Sequence, residues 1–428
     1  MNWLKRHLGV FARNGSGSIA IVFSLALVVI VCVLGLAIDF ARAQHASAVV
    51  MSSIDAAALY GSKVLVEDEA ADSEVKTRVA NFLANQIKTN GMQGSSYSGL
   101  HMHTDAVEGS VSIEVDIHVP TTFARVFNAD SIDFHKSAKT SYKIKNVELA
   151  MVLDTTGSMG DNGKIGELKL AASEAIDLLM PTNKVHHNRI ALAPFSASVN
   201  TGMYAATVSG GLSADCVVER GGAEAATDAP WSTSPVGWSA TLVPPATAGG
   251  NCPEQEIMPL NNDAVALKAQ INAYTTKGGT AGHIGLAWGW YLISPDWNGL
   301  WSASSDAKPY GDPKTIKAMI VMSDGVFNVA YDNGPVATSD DQKLNSVAQA
   351  AALCDAIKAA GVTVYTIGFE LALIPPPDDP AIARAVLSNC ASTNGGGGTE
   401  FYDATNGSDL SSAFKKIAGK LSKLRLSH

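Results

Sequence analysis

Glu148-Leu149-Ala150-Met151-Val152-Leu153-Asp154-Thr155-Thr156-Gly157-Ser158-Met159 is the stretch that decides the fold. Its first six residues are mostly apolar, short and uncapped, as in a strand buried within a parallel sheet. The apolar run stops at Asp154, and the spacing Asp-x-Thr-x-Ser then puts one carboxylate and two hydroxyls on a tight turn. Hard oxygens beyond the carboxyl end of a parallel strand suit Mg²⁺ or Mn²⁺, and that crevice is where open α/β sheets bind ligands. Taken alone, such a turn also serves simply to redirect the chain.

Two further stretches supply the rest of the set. Ile316 to Met322 is a second buried-strand run, ending at Ser323-Asp324-Gly325. Between the strands, Lys277-Gly278-Gly279-Thr280-Ala281-Gly282 opens a helical pattern from His283 to Ile293. Asp154, Thr156, Ser158, Thr280 and Asp324 together resemble, in the same chain order, the metal-ion-dependent adhesion site of a von Willebrand factor type A domain. Where that family usually carries Ser, Thr156 stands and keeps the hydroxyl. The resemblance implies that these five residues hold Mg²⁺ or Mn²⁺. Strands alternate with helices along this part of the chain, which independently indicates an α/β fold: a doubly wound, mainly parallel, Rossmann-like sheet.

Going outward, 428 residues suit two or three domains, and 46% hydrophobic with 17% charged residues is a foldable composition. A net charge of −9 argues against a general nucleic-acid-binding role. Residues 1–18, a cytoplasmic stub by this reading, hold Lys5, Arg6 and Arg13 and no acid. Ile19 to Ile38 then runs twenty residues without a charge or a proline. A helix of that length spans ~30 Å, the thickness of a bilayer core. Basic residues before it and Asp39 after it orient the span with the amino terminus in the cytoplasm and residues 39–428 outside. A cleaved signal peptide is the competing reading, with Ala41-Arg42-Ala43 as a small-x-small site. The apolar run exceeds the ~7–15 residues of a signal core, which favours an uncleaved anchor.

Residues 39–145 read as a small α+β stalk. The helical pattern continues to Val66, with Val50, Ile54, Ala57, Gly61 and Val64 on one stripe that packs on its own domain. A second helix fits Asp72 to Thr89. Val111 to Val119 and Ile132 to Lys145 alternate as half-exposed strands. His101, His103, His118 and His135 are accompanied by no carboxylate or Cys at ligand spacing and read as polar-face residues.

Four stretches in this region and at the end of the chain carry a second resemblance: Gly15-Ser16-Gly17-Ser18-Ile19-Ala20, Gly35-Leu36-Ala37-Ile38-Asp39-Phe40-Ala41-Arg42, Asp55-Ala56-Ala57-Ala58-Leu59 and the closing Ile417 to Ser427. With the type A domain between, the chain is similar to TadG-like proteins of tight-adherence (Flp) pilus assembly. Related pseudopilins carry a Glu early in the span for processing, whereas this chain has Ile21-Val22-Phe23. The resemblance implies a bacterial inner-membrane protein with a periplasmic or otherwise extracytoplasmic carboxyl-terminal domain and pilus components as partners.

The type A domain is placed at 146–425, interrupted at 197–262 by a segment of Gly and Pro clusters with little periodicity. Long irregular loops of this kind are usually functional or separately stapled. Cys32 lies in the span, leaving four exported cysteines and three possible pairings. Cys216 and Cys252 share the insertion, and Cys354 and Cys390 sit on successive helices flanking the strand Val362–Phe369. We therefore expect Cys216–Cys252 and Cys354–Cys390. Trp231, Trp238, Trp288, Trp290, Trp297 and Trp301 read as core or loop anchors in preference to a partner or glycan surface. Lys415, Lys416, Lys420, Lys423 and Arg425 give the last helix a basic, solvated face.

No enzyme is expected. Thr156-Gly157-Ser158 lacks the first Gly of a nucleophile elbow, Gly395 to Gly398 lacks the Lys of a phosphate loop, and no general base accompanies the two Asp. The function expected is a membrane-anchored, metal-dependent protein-binding component of pilus assembly or anchoring, with self-association along the stalk left open. Its partner would donate an acidic residue to the ion. The alternatives are a metal-dependent surface adhesin or scaffold unconnected with pili, and a metal-assisted hydrolase.

Overall fold

The computed structural model describes residues 17–67, 70–91, 94–105, 109–141, 145–181, 188–211, 215–233, 252–331, 339–394 and 396–424. The chain divides into two compact units, residues 1–142 and 143–428.

In the first unit, helix α1 (Gly17–Glu67) is continuous over 51 residues, about 77 Å at 1.5 Å per residue. Its two halves differ in what they cover. Apolar side chains from Ile21 to Phe40 are mostly exposed, whereas Ala43, Ala46, Val50, Ile54, Ala57, Ala58 and Val64 form a buried stripe. That stripe packs with Val75, Val79, Leu83 and Ile87 of α2 (Asp72–Asn90). Gly61 permits the close crossing, since a Cβ there would lie 2.7 Å from Val79 Cγ2. Three antiparallel strands, β1 (Ser96–Asp105), β2 (Ser110–Pro120) and β3 (Ser131–Ser141), complete the unit in the order β1-β2-β3. Central β2 buries Val111, Ile113, Val115, Ile117 and Val119 at every second position. The register pairs Asp116 with His135 and His118 with Asp133. Carboxylates therefore do accompany two of the four histidines, across the strands, as exposed pairs at 3.0 and 2.7 Å.

In the second unit, β4 (Asn146–Asp154) leads through α3 (Lys164–Leu179) to β5 (Arg189–Phe195). The insertion follows, with β6 (Val199–Asn200), the short helix α4 (Ala205–Val208), and β7 (Cys216–Val217) paired to β6. Residues 234–251, with Trp238, lie outside the described residues. Segment 197–262 is not wholly an insertion, because it contains β8 (Met258–Asn261), an antiparallel edge strand of the main sheet. Pro259 suits such an edge, where no outward N–H is needed. Then come α5 (Ala264–Asn272), α6 (Gly282–Tyr291), β9 (Thr315–Ser323), α7 (Ser339–Ala359), β10 (Thr363–Phe369), α8 (Pro380–Cys390), β11 (Phe401–Ala404) and α9 (Gly407–Leu424).

The six-stranded sheet runs β11-β10-β9-β4-β5-β8, parallel except for β8. Counting only its own strands in chain order, that is 6-5-4-1-2-3, the doubly wound arrangement. Apolar cores lie on both faces. On one, α6 has all ten residues buried, and a Cβ at Gly289 would meet Val152 Cγ2 at 2.3 Å. Trp288, Trp290, Trp297 and Trp301 belong to this core, with Trp297 stacked on Tyr291 at 4.1 Å. Disulfides join Cys216 to Cys252 and Cys354 to Cys390, and Cys32 is free. At the amino ends of the strands, Glu148 is buried against Lys317 (2.6 Å) and Arg189. That cluster is remote from the strand ends where the motifs converge.

Candidate metal centre at the sheet switch point

β4 and β9 are neighbours whose connections leave toward opposite ends of the sheet, the switch point at which such folds bind ligands. Asp154 ends β4 and Asp324 follows β9 directly. Both carboxylates are buried. Asp154 Oδ2 accepts a 2.6 Å hydrogen bond from Ser323 Oγ, and Oδ1 accepts one from the Thr156 N–H at 2.9 Å. Thr156 Oγ1 lies 3.1 Å from Ser158 Oγ, which donates to Asp324 Oδ1 at 2.8 Å. The remaining Asp324 oxygen, Oδ2, takes Lys164 Nζ at 2.8 Å. A run of oxygens thus connects the two strand ends.

Thr280 reaches the same place from its own loop. Its N–H donates to Asn328 Oδ1 (2.9 Å), and its carbonyl accepts from the Asn328 N–H (2.8 Å). The loop is also tied to the first motif, by Gly157 N–H to the Gly278 carbonyl at 2.9 Å and Lys277 N–H to the Thr155 carbonyl at 3.0 Å. A Cβ on Gly325 would lie 3.6 Å from Thr280 Oγ1 and 4.0 Å from Ser158 Oγ, so both hydroxyls stand over this glycine. All five residues read from the sequence are brought together. Gly157 and Gly160 are exposed and Ser158 is half-buried, so the centre opens to solvent on that side.

Two participants were missed in the sequence. Ser323 is the last residue of β9 and bridges to Asp154. Lys164 starts α3, where a cation is disfavoured by the helix dipole, and its side chain is only 8% exposed. The sequence did carry a signal: Lys164 shares the i, i+4, i+7, i+11 stripe of Leu168, Ala171 and Ala175, a charge on an otherwise apolar face.

The electrostatics call for positive charge. Burial, and then the nearby charge of Asp324, push the Asp154 carboxyl up from 3.8 to about 7. Lys164 offsets one of the two carboxylates, Asp324, whereas Asp154 accepts its hydrogen bonds from neutral donors, the Thr156 N–H and the Ser323 hydroxyl. Five oxygen-bearing side chains with two acids fit a hard divalent cation. Among the described residues no group of three or more His, Cys, Asp and Glu is placed to hold a metal ion, and this centre offers two acids with three hydroxyls. His283, the histidine nearest the motifs in sequence, is buried with Nδ1 2.8 Å from Ser346 Oγ and Nε2 3.6 Å from Glu219.

Residues 17–72 match the family described as "Putative Flp pilus-assembly TadE/G-like". No curated protein matches the chain. Among solved structures, similarity extends to the pilus adhesin SpaC of Lactobacillus rhamnosus GG, at 13% identity and TM-score 0.41, covering 77% of this chain and 35% of that one. The chain thus spans about a third of SpaC. It is also similar to the von Willebrand factor domain of the type V pilus tip protein Mfa5 of Porphyromonas gingivalis (13%, TM-score 0.39, 67% of this chain and 97% of that one). A third similarity is to a manganese-loaded TRAP protein of Plasmodium vivax (14%, TM-score 0.32, 64% and 74%). The fold itself rests on the strand order and register above. The chain carries a TadE/G-like amino-terminal segment and, in its second unit, a doubly wound α/β domain.

Proposed function

We propose that this protein is a membrane-anchored component of Flp pilus assembly or anchoring whose second unit binds a protein partner through a divalent cation. The observation that carries the reading is the meeting of Asp154 and Asp324 with the hydroxyls of Thr156, Ser158 and Thr280 at the switch point between β4 and β9. Asp154 and Asp324 would hold Mg²⁺ or Mn²⁺ directly or through water, with the three hydroxyls as neutral donors. Bound there, the ion would offer an open coordination position to a partner carboxylate and stabilise its charge. We place residues 19–38 across the bacterial inner membrane, the amino terminus in the cytoplasm and the second unit outside; α1 is long and apolar enough to cross a membrane.

Lys164 gives the centre a tethered cation of its own. Its ammonium occupies Asp324 Oδ2, so a divalent ion must share or displace that contact. By this reading Lys164 keeps the two strand ends together when the ion is absent and sets a ceiling on affinity when it is present. The experiment is capture of pilus components by the full-length protein in Mg²⁺ and in EDTA, beside Asp154→Ala and Asp324→Ala. Capture lost in EDTA and in both variants supports the proposal. Capture unchanged by all three contradicts it.

A further inference from the structure

In the first unit, the turn between β2 and β3, residues 121–130, is pinned to α1 at a telling height. Asp39 ends the uncharged stretch, and its carboxylate accepts the backbone N–H groups of Thr122, Phe123 and Ala124 at 2.9, 2.7 and 2.8 Å. One turn earlier, Gly35 lies under the Phe123 ring: a Cβ there would meet Phe123 Cγ at 2.5 Å. Gly35 is four residues, about 6 Å, inside the apolar run. Phe123 therefore packs on the span itself, below its outer end.

The turn shows an apolar surface at that height. Val126 is 79% exposed, Phe127 59% and Phe123 38%, beside Leu36, Ile38 and Phe40 of α1, which are also exposed. These side chains extend the bare apolar surface of residues 21–40 sideways. Its backbone groups are also suited to a poorly hydrated place. Besides the three bonds to Asp39, the N–H of Thr121 bonds the Asp130 carbonyl at 3.0 Å, and that of Asn128 bonds Arg125 at 3.0 Å. Satisfied backbone is what a bilayer boundary demands. Arg42 and Arg125 then place guanidinium groups beside the turn, Arg42 on Thr122 Oγ1 at 2.9 Å and Arg125 by Asp130 at 3.2 Å. Long basic side chains of this kind reach the headgroup level.

From this geometry we infer that Phe123, Val126 and Phe127 form a second membrane contact, a wedge that enters the outer edge of the bilayer beside the span. The wedge fixes the rotation and depth of α1, so the stalk leaves the membrane at a set angle and does not swivel about a single helix. The inference rests on the reading of residues 19–38 as a membrane span. Its partner is the lipid interface: aromatic and aliphatic tips backed by guanidinium groups match an acyl boundary under phosphate headgroups.

The test uses the full chain in lipid nanodiscs, with Cys32→Ala as background and the four disulfide cysteines intact. A small environment-sensitive fluorophore is attached in separate samples at Val126→Cys, Phe127→Cys, Val29→Cys within the span, and Thr89→Cys at the end of α2. Quenching by nitroxide-bearing lipid is compared with quenching by aqueous iodide. The expected result is lipid quenching and loss of iodide access at 126 and 127, as at 29, with the reverse at 89. Iodide access at 126 and 127 while 29 remains lipid-quenched overturns the wedge and leaves the span standing. Iodide access at 29 as well overturns the span, and the wedge with it.

Discussion

Lys164 Nζ and Asp324 Oδ2 form a 2.8 Å ion pair between the first turn of α3 and the end of β9, with the lysine side chain 8% exposed and the aspartate fully buried. The pair lies within the candidate metal centre, since the other oxygen of Asp324 takes the Ser158 hydroxyl. Replacing the lysine by an uncharged residue of similar length should therefore act in two directions. Lys164→Met should raise Mg²⁺ or Mn²⁺ affinity by about tenfold or more, since the competing ammonium is gone. In EDTA the same variant should lose about 3–5 kcal/mol of stability, because a buried charge has lost its partner. Denaturant melts with and without Mg²⁺ test both. Unchanged affinity would show that Lys164 does not compete with the ion.

The raised Asp154 carboxyl links stability to pH. Between 3.8 and about 7 the native state holds a proton that the unfolded chain has released. Metal-free stability contributed by this group is thus greatest below that window and falls as pH rises through it, by on the order of a few kcal/mol at most. Added Mg²⁺ should stabilise more at pH 8 than at pH 5, since it competes with that proton. Asp154→Asn should flatten the metal-free dependence. Melts in EDTA that gain stability from this residue between pH 4 and 7 would contradict the sign.

Asn328 holds Thr280 by both its amide oxygen and its backbone N–H, at 2.9 and 2.8 Å. Asn328→Ala removes the first bond and leaves a largely buried N–H without that acceptor, at a cost of about 1–3 kcal/mol. It should also weaken metal affinity severalfold although no ligand is changed. Calorimetric titration would detect this; full affinity in a destabilised variant would mean that Thr280 needs no such positioning.

The two disulfides should differ in their response to reductant. Cys354 and Cys390 are buried between α7 and α8, whereas Cys216 and Cys252 are half-buried at the insertion. Under mild reductant the insertion bond should open first. Each bond closes a separation of 36 residues, for which the chain-entropy model gives a stabilisation of roughly 3–4 kcal/mol. Timed alkylation and peptide mapping would report the order. Simultaneous opening, or alkylation of Cys390 first, would contradict it.

Strand ends, motif order and cysteine partners were legible because each is written locally, as an apolar run meeting an acid or as neighbours in one segment. The bonds that complete the site are non-local. Ser323 shows its role only when β9 lies beside β4, and Lys164 only when α3 covers the strand ends. Edge strand β8 was hidden by its four residues and by Pro259, both atypical of a strand interior. His118 and His135 found their acids through the register of β2 and β3, which no spacing along the chain reveals. Likewise, Asp39 reads as a helix residue until the turn 83 to 85 positions later returns to it.

Titration of Mn²⁺ into the metal-stripped full-length protein, followed by calorimetry and by loss of the free-ion paramagnetic resonance signal, tests the central claim most directly. The account predicts one saturable site per chain, displaced by Mg²⁺, abolished by Asp154→Ala and by Asp324→Ala, and kept by Thr156→Ser. A wild-type chain that leaves the Mn²⁺ signal free, or a site that survives in both aspartate variants, would contradict it.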